Sequence, residues 1–330
     1  MRVNQTGLLI GLLPLLLLSP LLAIASGSAS LELNTVVQAL LNLLSGHEPQ
    51  NVGERIVIEL RTPRVLMAMI CGAGLALSGL VLQSVTRNPL ADPYLFGISS
   101  GASLGAVVAI TVGFGALALP FTAFAGALVA VAVVMIMARD GQVERLILAG
   151  VAVSFLLGSL SNLLLYFSDP RAVQAVLFWT LGSFARADWS ALTAPALMLL
   201  LTLVVICQQQ RPLLALMAGD ESAHTQGVAV QSLRLAMLLL TAMMTAILVA
   251  NCGGIGFVGL MVPHIVRMLV GSGGVRHVLI TAMVGALLMV WVDLLARRLL
   301  PNQELPVGVI TALLGSLFFL LFLLKRRGNL

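Results

Sequence analysis

The sequence predicts an all-α, polytopic membrane protein, a helical bundle with about ten transmembrane helices. Three observations carry this. Of 330 residues, 59% are hydrophobic and 9% charged, with a mean hydropathy of +1.07, whereas about a quarter of the residues of soluble domains are charged. A helix needs roughly 20 mostly apolar residues to cross about 30 Å of hydrocarbon. Such runs stand near 7–27, 62–83, 95–112, 116–137, 146–167, 190–209, 232–251, 256–270, 276–297 and 306–325. Leu, Ala, Val and Met fill them without the alternation, over about ten residues, that marks a membrane barrel. Residues 1–330 therefore form a single transmembrane domain with no room for a separate soluble one.

In chain order, the first run follows Arg2 and ends at Ala23-Ile24-Ala25, which also fits a signal-peptide cleavage pattern. It is long for a signal sequence, and Pro14 and Pro20 do not forbid a membrane helix whose neighbours satisfy the freed backbone groups. It is taken as a retained span, with cleavage as the alternative. After the second run, Asn88-Pro89-Leu90-Ala91-Asp92-Pro93 breaks the helix, because two prolines and an Asn disfavour continuation. The third run opens on Gly97, Ser99, Ser100, Gly101, Ala102, Ser103 and Gly105, small residues that let helices approach closely in lipid.

Between the sixth and seventh runs lies a polar island, LMAGDESAHTQGV, at 216–228. Asp220 after Gly219 is a favoured N-cap, Glu221 complements the positive helix start, and Gly227 suits a left-handed C-cap. These signals predict a helix of one to two turns outside the membrane, seated on the bundle by Leu213, Leu214, Leu216 and Met217, so the segment spans about 213–228. It reads either as a solvated connection or as a helix that inserts into a cleft of a partner.

Basic residues orient the chain. Arg2, Arg87, Arg139, Arg145, Arg211, Arg234, Arg276 and Lys325-Arg326-Arg327 fall on one side of the ten-span arrangement, which is read as cytoplasmic, with both termini there. Arg55, Arg61, Arg64, Arg171, Arg186, Arg297 and Arg298 fall outside. The net charge of +5 comes with no basic run interleaved with aromatics, so nucleic acid is not an expected partner.

Energy for transport has no source in this chain. The only lysine is Lys325, so no phosphate-cradling P-loop exists. Asp293 is the one clearly embedded acid and stands four residues before Arg297, on the same helical face, as a local ion pair or a proton relay. Cys71, Cys207 and Cys252 match no metal or disulfide spacing, and no catalytic cluster stands out. His264, beside Pro263 in an apolar run, reads as a packing residue. The chain is read as a transport protein without enzymatic chemistry, driven by another polypeptide or by the substrate's gradient.

Several stretches together resemble one family: Arg61-Thr-Pro-Arg64, GLALSGLVLQSVTRNPLADPYLFGISSGAS at 74–103, FWTLGS at 178–183 and the island. GFVGLMVPHIVR at 256–267, DLLAR at 293–297 and ELPVGVITALLG at 304–315 complete the set. The chain resembles the permease subunits of ATP-binding-cassette importers for ferric siderophores, haem and cobalamin, along nearly its whole length. The resemblance implies a cobalamin-permease-like bundle working as a dimer with two cytoplasmic ATPases and a periplasmic substrate-binding protein in the bacterial inner membrane. ATP and Mg would be bound by the partner ATPase, with no cofactor in this chain.

By the same resemblance, the island is the coupling helix: Gly219, Asp220, Glu221, Ser222, Ala223, His224 and Gly227 would press into the ATPase. Arg61, Arg64 and Arg297 would dock acidic residues of the binding protein. Arg298 has no such match and is left as a rim charge. Gln142, Val143 and Glu144 align with the cytoplasmic gate, and the fifth and tenth spans would line the pathway between two copies. Gly254 stands where the family carries Pro or Asn, and Leu317 where it carries Pro. The first is expected to loosen the start of the eighth span, the second to straighten the last. The substrate expected first is a ferric siderophore, then haem, cobalamin or an oxyanion. The competing function is an ion-coupled secondary transporter.

Overall fold

The computed structural model describes residues 4–27, 32–114, 118–138, 143–300 and 303–327. It is helical nearly throughout: α1 (Gln5–Ala25), α2 (Leu33–Leu44), α3 (Val52–Arg55), α4 (Thr62–Thr86), α5 (Ile98–Val112), α6 (Ala118–Met137) and α7 (Val143–Tyr166). There follow α8 (Pro170–Thr180), α9 (Trp189–Ala218), α10 (Asp220–Thr225), α11 (Val230–Cys252), α12 (Val258–Val270), α13 (Val275–Arg298) and α14 (Val307–Arg327). A π-helical stretch, Ile56–Arg61, joins α3 to α4, and a 3-10 turn, Pro93–Phe96, precedes α5.

Each of the ten predicted runs coincides with a helix. Among the described residues eight helices are long and apolar enough to cross a membrane, while α5 and α12 are shorter. At 1.5 Å per residue, the 15 and 13 residues of α5 and α12 reach only about 20 Å. Composition alone could not distinguish a full span from a shorter apolar helix fed by an irregular segment. The helices α2 and α8 were not foreseen.

The backbone before these short helices departs from the α-helix and would be costly in lipid unless protein satisfied it. Protein does so. Ile255 donates its N–H to the Tyr94 hydroxyl at 2.8 Å. Ser183 N–H bonds to Cys252 O at 2.8 Å, and the N–H groups of Val307 and Gly308 bond to Gly182 O and Leu181 O, each at 3.0 Å. The segments before α12 and α14 thus meet the segment after α8 in a backbone junction, to which the Tyr94 hydroxyl ties the turn before α5. Gly254 belongs to it: a side chain there would stand 2.5 Å from Thr180 O, so the glycine closes the start of α12 instead of loosening it. Helix α14 runs unbroken past Leu317, as the missing proline predicts.

Helix α4 is the axis of the bundle, buried along most of its length and packed against α9, α11, α12 and α13. Its glycines set the distance. A Cβ at Gly72 would strike the carbonyl of Gly285 on α13, and one at Gly79 the carbonyl of Gly259 on α12. Such close approach maximises dispersion contact where lipid supplies no hydrophobic drive between helices. Helix α1 is integrated with α13: Ala23 is fully buried, and Trp291 donates its indole N–H to the Ser19 hydroxyl at 3.2 Å.

Candidate functional site

The island folds as the short helix α10, continuing from α9 after a single break at Gly219. The break needs glycine, because φ is +126° there. Gly219 also takes the N-cap position predicted for Asp220, which is instead the first helical residue and caps nothing with its side chain. The physical reason is a stronger partner. Arg234 on α11 donates from Nη2 to both Asp220 oxygens, at 2.8 and 3.1 Å, and Arg87 Nη2 stands 3.7 Å from Oδ1. Gly227 is left-handed as predicted, with φ +77°, and its N–H bonds to His224 O at 2.9 Å.

Burial divides the helix into two faces. Ala223 is fully enclosed with Leu213 and Leu216 in the core, and Val228 packs against the same cluster. Glu221, His224, Thr225 and Gln226 are exposed. The motif therefore offers a small polar face to whatever meets it, held by an apolar foot and an ion pair between α10 and α11.

At the opposite end, Arg61, Arg64 and Arg297 come together, but not as free forks. Arg61 is buried and donates from Nη1 to Ile24 O (2.8 Å) and Ala25 O (3.1 Å) at the end of α1. Arg64 donates from Nε to Asp293 Oδ1 at 2.9 Å and from Nη1 to Glu304 Oε1 at 3.0 Å. Arg297 lies 3.0 Å from Asp293 Oδ2 and donates to Ser26 O at 2.8 Å. Asp293 is wholly enclosed, so the i,i+4 pair read from sequence exists, with Arg64 as a second cation that spacing could not reveal. The exposed cations at this end are Arg55, Arg171, Arg186 and Arg298. Arg55 forms a loose 3.6 Å pair with Glu59.

Of the expected gate, Gln142 lies outside the described residues, Val143 begins α7, and Glu144 is exposed in its first turn. Further along α7, Phe155, Ser159, Asn162 and Tyr166 are all exposed and share one face by their i, i+4, i+7, i+11 spacing. Asn and Ser facing lipid would leave polar groups unsatisfied. No group of three or more His, Cys, Asp or Glu able to hold a metal occurs among the described residues. Cys71 and Cys252 are buried and free.

Sequence and structure comparisons agree on kinship. The FecCD transport family matches residues 15–325. The hemin transport system permease protein HmuU of Yersinia pestis is 37% identical over 332 residues, covering 98% of this chain and 97% of that protein. The Fe(3+) dicitrate permease FecD of Escherichia coli K12 is 40% identical over 287 residues, 86% of this chain and 88% of that one. The vitamin B12 permease BtuC of Salmonella newport is 36% identical over 310 residues, with 90% and 94% covered. A solved structure described as a metal-chelate type ABC transporter in an inward-facing conformation superposes with a TM-score of 0.87 at 33% identity, over 97% of this chain and 99% of that chain. PsaBC from Streptococcus pneumoniae, at 13% identity and TM-score 0.58 over 87% and 94% of the two chains, shares the fold alone. With a family match over nearly all its length and relatives of this identity and coverage, the chain belongs to the FecCD transport family as an integral membrane permease.

Proposed function

We propose that this permease is the membrane subunit of an ATP-driven importer that carries a metal chelate from periplasm to cytoplasm by alternating access. A ferric siderophore is the first candidate, followed by haem, cobalamin or an oxyanion. Two identical copies would enclose the pathway in the bacterial inner membrane, each with its termini and α10 on the cytoplasmic side, resting on two ATPase subunits that bind ATP and Mg. No cofactor is assigned to this chain. The carrying observation is α10: a short helix, rigidly footed by Ala223 and by the Asp220–Arg234 pair, that presents Glu221 and His224 outward. Motion imposed on that face is transmitted to α9 and α11 together. The hemin, Fe-dicitrate and B12 systems named for the relatives support the chelate class.

The same reading puts a periplasmic binding protein over the arginine end. Arg61 and Arg297 would set the floor of that surface, and Arg64 would meet a carboxylate of the binding protein by exchanging it for Glu304, whose side chain is 49% exposed. Arg171, Arg186 and Arg298 add steering charge. Residues 142–144 at the start of α7 would form the cytoplasmic gate. The polar face of α7 would line the pathway between the copies, where water accounts for Ser159 and Asn162.

The deciding experiment is uptake and ATP hydrolysis in proteoliposomes containing the permease, its ATPase and a loaded binding protein. Glu221→Lys with His224→Ala leaves the Asp220 ion pair intact and is expected to abolish chelate uptake while the folded permease dimer persists. Uptake that continues without any ATPase and follows a proton or sodium gradient would refute the importer reading and favour an ion-coupled transporter.

A further inference from the structure

At the end of the bundle that carries α10, a small, half-open cleft lies between α4, α9 and the turn leading into α13. Leu80, Ile206, Leu213 and Val278 wall it, and Arg267 and His277 lie at its polar part. His277 is only 3% exposed, yet neither of its ring nitrogens has a hydrogen-bond partner among the described residues. Arg267 donates from Nη2 to Gln83 Oε1 at 2.9 Å, but its Nε is likewise unpartnered. Buried polar groups are rarely left so in folded proteins, and each such group calls for a ligand, ion or water.

Two further features give the missing partner its sign. Helix α13 has 24 residues and begins at this cleft, yet it has no side-chain cap and no acidic residue in its first turn. The positive end of its dipole is uncompensated. No carboxylate lines the cleft, while Arg211 and Arg276, next in sequence to the lining residues Gln210 and His277, are exposed beside it.

We propose that this cleft holds the phosphate group of an anionic ligand, received by His277, Arg267 and the first-turn N–H groups of α13, with apolar atoms of the ligand against the aliphatic wall. A glycerophospholipid and free phosphate share this chemistry; the aliphatic wall fits the lipid. Leu213 and Leu214, which line the facing side, belong to the turn of α9 that leads into α10. An occupied cleft therefore ties the coupling segment to α13. That last consequence rests on the importer reading; binding itself does not.

The test uses the purified full-length permease in detergent, with native mass spectrometry and thermal shift as readouts. Its arms are phosphatidylglycerol, phosphatidylcholine and inorganic phosphate. The wild type should retain phosphatidylglycerol and be protected by it, and phosphatidylcholine should do neither. Protection by inorganic phosphate alone would support the site and identify the free anion as its source. His277→Leu removes the ring N–H donor and should weaken binding about tenfold or more, as for loss of one hydrogen bond to a charged group. Ser272→Asp places a carboxylate at the exposed lip, without touching the core, and should weaken it similarly while leaving unliganded stability unchanged or raised. The proposal is overturned if no phosphate-bearing probe binds, if phosphatidylcholine binds as well as phosphatidylglycerol, or if Ser272→Asp binds like the wild type. None of these outcomes depends on transport, so failure here leaves the importer reading standing.

Discussion

Asp293 carries a charge in complete enclosure and is balanced by two guanidiniums, Arg64 and Arg297. Removing one partner of a buried ion pair leaves the other uncompensated, typically at about 3–5 kcal/mol. Asp293→Asn should therefore lower the permease's unfolding temperature in detergent sharply, while Arg298→Ala at the exposed rim leaves it within error. Glu304 is half exposed, so its pair with Arg64 adds only about 1 kcal/mol or less. Glu304→Gln should cost little stability and, by freeing Arg64, strengthen binding-protein docking; unchanged or weaker binding in a pull-down or by surface plasmon resonance would remove Arg64 from the docking surface. Spacing revealed the Asp293–Arg297 pair because four residues make one helical turn. It could not reveal Arg64, which is 229 positions from Asp293 and meets it only because α4 and α13 pack side by side.

Among the elements, α4 shows how small residues set helix distance. Gly79 faces the backbone of Gly259, which cannot yield as a flexible side chain would. Gly79→Ala should cost about 1–3 kcal/mol or more by overpacking, read as earlier unfolding in a denaturing-detergent titration. A change at Gly158, which has open space around it, should be neutral or stabilising because alanine favours the helix. The loop after α4 carries its own pH signature. Burial raises the carboxyl of Asp92 to about 6, opposed by the N–H of Tyr94 that it accepts. A folded pKa above the unfolded one means the folded state holds the proton longer, so this contribution is present below about pH 4 and is lost as pH rises through about 6. Asp92→Asn preserves the acceptor for Tyr94 and should flatten stability across that window, measured by thermal shift from pH 4 to 7. The short helix α10 was legible from its glycines and polar run. Its N-cap was misread because Asp220 has Arg234 as a partner on another helix, a stronger claim on the carboxylate than a capping N–H.

For the whole molecule, the proposal of a pathway between two copies rests on the exposed face of α7. Phe155, Ser159, Asn162 and Tyr166 repeat on one side of an apolar helix, where lipid would leave the polar pair unsatisfied. In a background lacking Cys207, cysteine at Asn162 should react with a membrane-impermeant maleimide in assembled proteoliposomes. Cysteine at Val129, exposed on α6, whose one polar side chain is Thr122, should not. Equal protection of both positions would mean that α7 faces lipid and that the pathway lies elsewhere.

Composition and run length determined by themselves that this is a helical membrane protein, roughly where its helices lie, and that it holds no P-loop, because these depend on local residue type and spacing. Its motifs, read together, indicated the family. Tertiary structure decided how the irregular backbone before α5 and α12 is satisfied, because its partners lie in segments distant in sequence. It also decided that Arg61, Arg64 and Arg297 are internally committed, and that His277 and Arg267 share a cleft. Charge partners and cavities arise from helices far apart in sequence, and packing alone brings them within hydrogen-bond reach.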